Sequence, residues 1–229
     1  MRAIILAAGE SRRFKEEGYT TPKPFLNIEW RGYTCPMWEH VFWTLPPKFW
    51  GGQTLYGVPP KWIGEMNNAI VMVHTKGPAH TALQVMNKIS LDDTLILDAD
   101  ILNFTNDLLA ITTIHCPAVL VSKSSNPAFS YVDALGFFNL IKEKERISQY
   151  AVRGAYWIPS KFIGEFMTIA ETLVETMKEP YISHVFNQLT GEKIAKETTY
   201  QPIDWGTPLD VRLSGAHIVG GKDVCDNSD

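Results

Sequence analysis

The sequence predicts an α/β protein: a three-layer α/β/α sandwich with a mainly parallel (mixed) sheet between two layers of helices. Short runs of Ile, Leu and Val alternate with helix-like stretches through the first half of the chain. Those runs are apolar on both faces, as strands covered by helices on each side must be. Between 160 and 178 the residues Phe162, Ile163, Phe166, Met167, Ala170, Leu173, Val174 and Met177 follow the 3.6-residue period of a helix lying on such a sheet.

Taken in order, residues 2–8 (RAIILAA) form a buried strand that stops at Gly9. Residues 10–24 are polar and closed by Pro22 and Pro24, which predicts a surface loop with one short helical turn. From Pro36, placed at a first helical position, Met37, Val41 and Leu45 have helical spacing. Residues 46–62 are dense in Pro, Gly and Trp and yield a short strand at 54–58, followed by a helix around 60–67. AIVMV at 69–73 is a strand, 78–89 a helix opening on Pro78, and TLILD at 94–98 a strand. A helix at 105–113, a strand at 117–122 and β-rich stretches at 129–141 and 148–158 follow. Right-handed βαβ crossovers then put the turns after residues 8 and 98 at one rim of the sheet, where ligands of such sheets bind.

A chain of 229 residues with 45% apolar content can bury a full core unaided, which predicts one domain over 1–220 and a loosely ordered tail over 221–229. Cys35, Cys116 and Cys225 are odd in number, far apart and without a C-x-x-C pair, so reduced thiols and a cytoplasmic location are expected. The opening residues lack a signal-peptide pattern, and no apolar run approaches a membrane span. A net charge of −4 argues against a nucleic-acid partner. Against that background, Arg12, Arg13, Lys15 and Lys23 form a local basic cluster suited to a small anion.

The segment Leu6-Ala7-Ala8-Gly9-Glu10-Ser11-Arg12-Arg13-Phe14 opens a buried strand into small residues, whose bare backbone N–H groups can approach a phosphate or a base. It is not a Walker A loop, because G-x-x-x-x-G-K-[ST] is absent. LILDADILNF at 95–104 ends an apolar strand in Asp98-Ala99-Asp100; carboxylates at i and i+2 of a strand share a face and can bind a hard cation through oxygen, although an ordinary turn reads the same way. Asp204-Trp205-Gly206-Thr207-Pro208-Leu209-Asp210 contains a Thr-Pro pair that fits the N-cap and first position of a final helix, a role Asp204 does not need.

These three segments, with Pro22-Lys23-Pro24-Phe25-Leu26, resemble the sugar-1-phosphate nucleotidylyltransferases and related cytidylyltransferases, whose signatures read approximately LAAGxGxRF, PKPLL and DxGTPED. The resemblance implies a Rossmann-like nucleotide-diphospho-sugar transferase fold. It further implies transfer of a nucleoside monophosphate from an NTP to a phosphorylated acceptor, most closely a sugar-1-phosphate, with Mg²⁺. By the match, Arg13, Lys23 and Asp100 are catalytic, and Asp100 and Asp204 ligate the metal. Leu6 to Arg13, Lys23, Thr75, Gly77, Pro78 and Asp98 would hold the nucleotide. Gly136, Glu143, Lys144 and Tyr156 would face the acceptor. Two departures stand out: Ser11 replaces a second glycine, and no proline follows Glu143-Lys144. A metal-dependent glycosyltransferase of the same general fold and a non-catalytic nucleotide-binding homologue are the alternatives; the resemblance leaves the NTP, the acceptor and any homo-oligomer open.

Overall fold

In a computed structural model the chain is described for residues 1–9, 11–50, 54–58, 69–71, 75–89 and 92–221. The first strand, β1 (Arg2–Leu6), leads through the short helix α1 (Arg12–Glu16) to a hairpin of β2 (Asn27–Trp30) and β3 (Tyr33–Pro36), then to α2 (Met37–Thr44). Strands β4 (Thr54–Val58) and β5 (Ala69–Val71), helix α3 (Pro78–Met86), β6 (Thr94–Asp98), the two-residue β7 (Ile101–Leu102) and α4 (Thr105–Ile111) complete the first half. The second half contains β8 (Ala118–Lys123), β9 (Tyr131–Val132), β10 (Gly136–Phe137), β11 (Ile141–Lys142) and the long β12 (Tyr150–Ile158). Helices α5 (Ser160–Thr176) and α6 (Ile182–Gln188), then β13 (Ile194–Glu197), β14 (Ile203–Asp204), α7 (Pro208–Leu213) and β15 (His217–Val219) follow.

The main sheet runs β10-β13-β8-β12-β6-β1-β4-β5, with β9 paired to β12 and β11 to β9. Strand β1 is parallel to both β6 and β4, β4 to β5, and β13 to β8, whereas β12 runs antiparallel between β6 and β8. Alternation along the strands divides the core in two. Ile5, Leu95 and Leu97 pack with α2, α4 and α7 through Met37, Val41, Leu108, Ile111 and Val211. Ile4 and Ile96 pack with α3, α5 and α6 through Ala82, Phe166 and Phe186. The expected three layers are present.

Helix α5 buries Ile163, Phe166, Ala170 and Leu173, one face at helical spacing. Burying each of the large side chains contributes about 1.5–3 kcal/mol, so packing rather than propensity holds this helix.

Several elements differ from expectation. Pro36 ends β3 opposite Asn27 and precedes the helix instead of opening it; Met37 N–H donates to Leu26 O at 3.0 Å. The β2–β3 hairpin turns at Arg31 and Gly32, both at positive φ, a geometry normally announced by Asn-Gly and so unread in Arg-Gly. β15 completes a small antiparallel sheet, β15-β2-β3, and Thr20 N–H donates to Gly221 O at 2.9 Å, so the first residue assigned to a loose tail is docked on the loop after α1. The helix expected around 60–67, residues 72–73 of the expected 69–73 strand, and 222–229 lie outside the described residues. No helix among the described residues is long and apolar enough to cross a membrane.

Candidate active site

The parallel strands β1, β4 and β6 end at one rim, and the sequence motifs meet there. Ala7 is fully buried and its N–H donates to Gly57 O at 3.1 Å, which fixes where β1 stops. Leu6 and Ala8 are partly buried and pack against the α3/α5 layer, while Gly9 is exposed with open space around it. Glu10 lies outside the described residues. Arg12 and Arg13 are exposed on α1, which is anchored by the buried ring of Phe14.

Ser11 adopts the left-handed conformation (φ 58°, ψ 32°) that explains why a glycine suits this position. Its Oγ accepts a 2.6 Å hydrogen bond from the backbone N–H of Lys23. The serine therefore ties the glycine turn to the Pro22-Lys23-Pro24 segment through its acceptor oxygen, while its O–H is directed at Gly9 O, 3.4 Å away. The bond from Lys23 offsets a left-handed residue costing about 1–2 kcal/mol.

Lys23 sits on a single 3₁₀ turn and its ammonium is paired with Asp100 Oδ2, joining residues 77 positions apart. β6 ends at Asp98, so Asp100 lies in the following turn and not on the strand, correcting the expectation that pleating alone puts both carboxylates on one face. Asp204 is brought to Asp100 by its antiparallel pairing with Ile101, supported by Trp205 N–H donating to Asp100 O at 2.8 Å. Trp205 is fully buried, with its indole N–H on Ser214 Oγ at 2.8 Å. Asp204 Oδ1 accepts from Gly206 N–H at 2.7 Å, and Thr207 caps α7 by accepting from Asp210 N–H at 3.1 Å, as the Thr-Pro pair predicts.

Three carboxylates thus converge at the rim. Burial, and then the charge of Asp100, pushes Asp98 up from the usual carboxylate range. The same two causes raise Asp204, against the pull of the Gly206 N–H and of Arg153. Such a cluster holds more negative charge than Lys23 neutralises, which is the electrostatic condition for a bound cation. Among the described residues no group of three or more His, Cys, Asp or Glu forms a metal cage. Mg²⁺ does not require one: it takes one or two protein carboxylates and fills the remaining positions with phosphate oxygens and water, so Asp100 and Asp204 fit it.

The remaining expected residues divide. Gly77, followed by Pro78 at the start of α3, has extended backbone, and a Cβ there would lie 2.8 Å from Pro180 O; close packing of the chain accounts for this glycine by itself, with Thr75 partly buried beside it. The Glu143 carboxylate accepts from Ser130 Oγ at 2.7 Å and from Ser183 Oγ. Lys144, at φ 55°, donates through Nζ to Tyr181 Oη at 3.1 Å and through its N–H to Phe129 O at 3.1 Å. The Tyr156 ring is buried against Phe186, with Asp98 and Glu143 close enough to help burial raise its pKa. Gly136 is not brought to the carboxylates. It opens β10 at the sheet edge, and β13, β8 and β12 stand between it and β6, about 19 Å across four strand spacings.

Two residues of β12 were not among the expected site residues. Gly154 (φ +58°) forms a bulge against Asp98, where a Cβ would meet Oδ2 at 2.7 Å. Arg153 is only 5% exposed, and its charge acts on both Asp204 and Asp100. A lone cation inside the apolar run YAVRGAYWI is the signal that could have singled it out.

No protein-family model and no curated protein matches the chain. Solved structures do. A chain from Bacillus anthracis assigned as a glucose-1-phosphate thymidylyltransferase superposes with a TM-score of 0.76 at 18% identity, over 93% of each chain. The nucleoside-diphosphate-sugar pyrophosphorylase from Vibrio cholerae RC9 gives 0.73 at 18%, over 92% of this chain and 98% of that one. The inositol-1-phosphate CTP transferase from T. maritima gives 0.74 at 16%, over 93% of each. With its mixed, mostly parallel sheet and its motifs gathered at one rim, the chain has the fold of the sugar-phosphate nucleotidylyltransferases.

Proposed function

We propose that this protein is a nucleotidyltransferase that moves a nucleoside monophosphate from an NTP onto a phosphorylated acceptor, most closely a sugar-1-phosphate, and releases pyrophosphate. The observation that carries this reading is the meeting of Lys23 with Asp100 beside Asp204, which makes one site of the glycine-turn segment and two acidic segments. An acceptor phosphate oxygen forms the new bond to the α-phosphorus, while the bond from that phosphorus to the bridging oxygen breaks and its electron pair leaves with pyrophosphate.

Positioning and charge neutralisation account for most of the catalysis of such a transfer. The backbone at Ala8, Gly9 and Ser11 receives the phosphates; Lys23, released from Asp100 as the nucleotide enters, takes the α-phosphate, and exposed Arg13 the leaving end. Asp100 and Asp204 would hold Mg²⁺, which would supply Lewis-acid stabilisation of the charge developing on the phosphates. Glu143, held by two serine hydroxyls, is a rigid acceptor-side carboxylate.

A matrix of four NTPs against hexose-1-phosphates, phosphocholine and other phosphomonoesters, with Mg²⁺ and read by pyrophosphate release, tests the proposal. One productive pair is expected. Nucleotide binding with no release across the panel would make the protein a non-catalytic binder, and turnover of an NDP-sugar instead would make it a glycosyltransferase.

A further inference from the structure

Arg153 is an expensive residue to place where it is. Its side chain is buried beneath the rim, yet among the described residues one of its five N–H donors, on Nη2, has a partner, Pro202 O at a long 3.3 Å, and the buried Nε has none. The guanidinium carbon lies 4.5 Å from the centre of the Phe129 ring, so the planar head is held from one side by an aromatic face. Its own carbonyl accepts from Asn103 Nδ2 at 2.9 Å, which pins the backbone next to the Gly154 bulge. A buried arginine serving only as a counter-ion would close on a carboxylate, because an unpaired buried charge is costly. Among the described residues Arg153 forms no such pair: it acts on Asp204 and Asp100 from beyond ion-pair distance.

Strand order gives that arrangement a direction. β1, carrying the glycine turn, lies on one side of β6, and β12, carrying Arg153, on the other, with Asp98 and Asp100 between them. Phe129 belongs to the segment that bonds the Glu143-Lys144 turn, through Lys144 N–H to Phe129 O and Ser130 Oγ to Glu143. Arg153 therefore stands on the Glu143 side of the carboxylates, away from Lys23.

We propose that Arg153 is the acceptor-phosphate residue of this site: its free N–H edge takes a phosphomonoester, in the fork-to-oxygens manner open to arginine but not lysine, and sets it opposite the NTP held by the glycine turn. This rests on the transferase reading above, and the test separates the two. Inorganic phosphate is titrated calorimetrically into the full chain with Mg²⁺, with and without a saturating α,β-methylene NTP analogue chosen from the four bases by its own titration. Wild-type protein should bind phosphate in both conditions. Arg153→Met should bind it at least tenfold more weakly, with affinity for the analogue lowered by no more than threefold. Arg153→Lys, which keeps the buried charge should the Met variant fail to fold, should lose at least threefold for phosphate. Wild-type phosphate affinity in either folded variant, or an equal loss for phosphate and nucleotide, overturns the proposal. Should no analogue bind, the transferase reading falls, and the titration with Mg²⁺ alone still decides what Arg153 holds.

Discussion

On the β1 side of the carboxylates, the groups that meet the site come from one stretch of chain between Leu6 and Leu26, braced internally by Ser11 Oγ on Lys23 N–H and by the buried ring of Phe14. On the β12 side they come from five: Phe129 and Ser130, Glu143 and Lys144, Arg153 and Gly154, Ser183, and Pro202 to Asp204. The first side is a local structure that folds around its own glycine turn. The second exists only when distant segments are stitched together, as Lys144 N–H on Phe129 O and Val152 N–H on Ser130 O stitch them. A local site announces itself as a motif, whereas an assembled one is scattered through the sequence as single residues.

Variants at four positions would break or sharpen that contrast. The largest effect is expected from Asp100→Asn, which removes a carboxylate of the proposed metal site at the point where the two sides meet. Turnover should fall by about 10³-fold with circular dichroism unchanged, and undiminished Mg²⁺-dependent pyrophosphate release would detach the acidic turn from the chemistry. Lys23→Ala should cost about 10²-fold in kcat, the scale of losing one charge-stabilising group; normal turnover would remove the β1 side's main cation from the reaction.

Gly154→Ala tests the assembled side. With φ at +58° and a Cβ 2.7 Å from Asp98 Oδ2, it should lower unfolding stability by about 1–3 kcal/mol in urea titrations and reduce activity as well. A wild-type midpoint would mean that the bulge yields without cost. The smallest effects concern Ser11. Ser11→Ala keeps the left-handed strain and loses the bond to Lys23, so about 1 kcal/mol should disappear; Ser11→Gly also relieves the strain and should fall nearer to wild type. Equal stability of the two would show that the left-handed residue carries no penalty in this turn.

Much of the fold can be read from the chain without its structure. The apolar runs expected as strands at 2–8, 54–58, 94–98 and 117–122 form strands at 2–6, 54–58, 94–98 and 118–123, and α5 follows its period almost to the residue. Short elements were missed for a common reason: β2, β3, β7, β13, β14, β15 and α6 have seven residues or fewer and, unlike the equally short β1 and β6, no sustained apolar run to announce them. Their stability comes from partners elsewhere, as β15 shows by pairing with β2 across the length of the chain.

The same division runs through the site. The order of residues alone determined the glycine turn, Lys23, the two acidic segments and the cap at Thr207, because each depends on neighbours within a few positions. Tertiary structure alone decided that Asp100 meets Asp204 through the β7–β14 pairing, that Ser11 braces Lys23, and that Tyr156 belongs to the core. It also decided that Gly136 sits at the sheet edge and that Arg153 waits beneath the rim. Strand order and burial are properties of the packed chain, and no spacing along the sequence encodes which strands become neighbours or which charge is left facing a cleft.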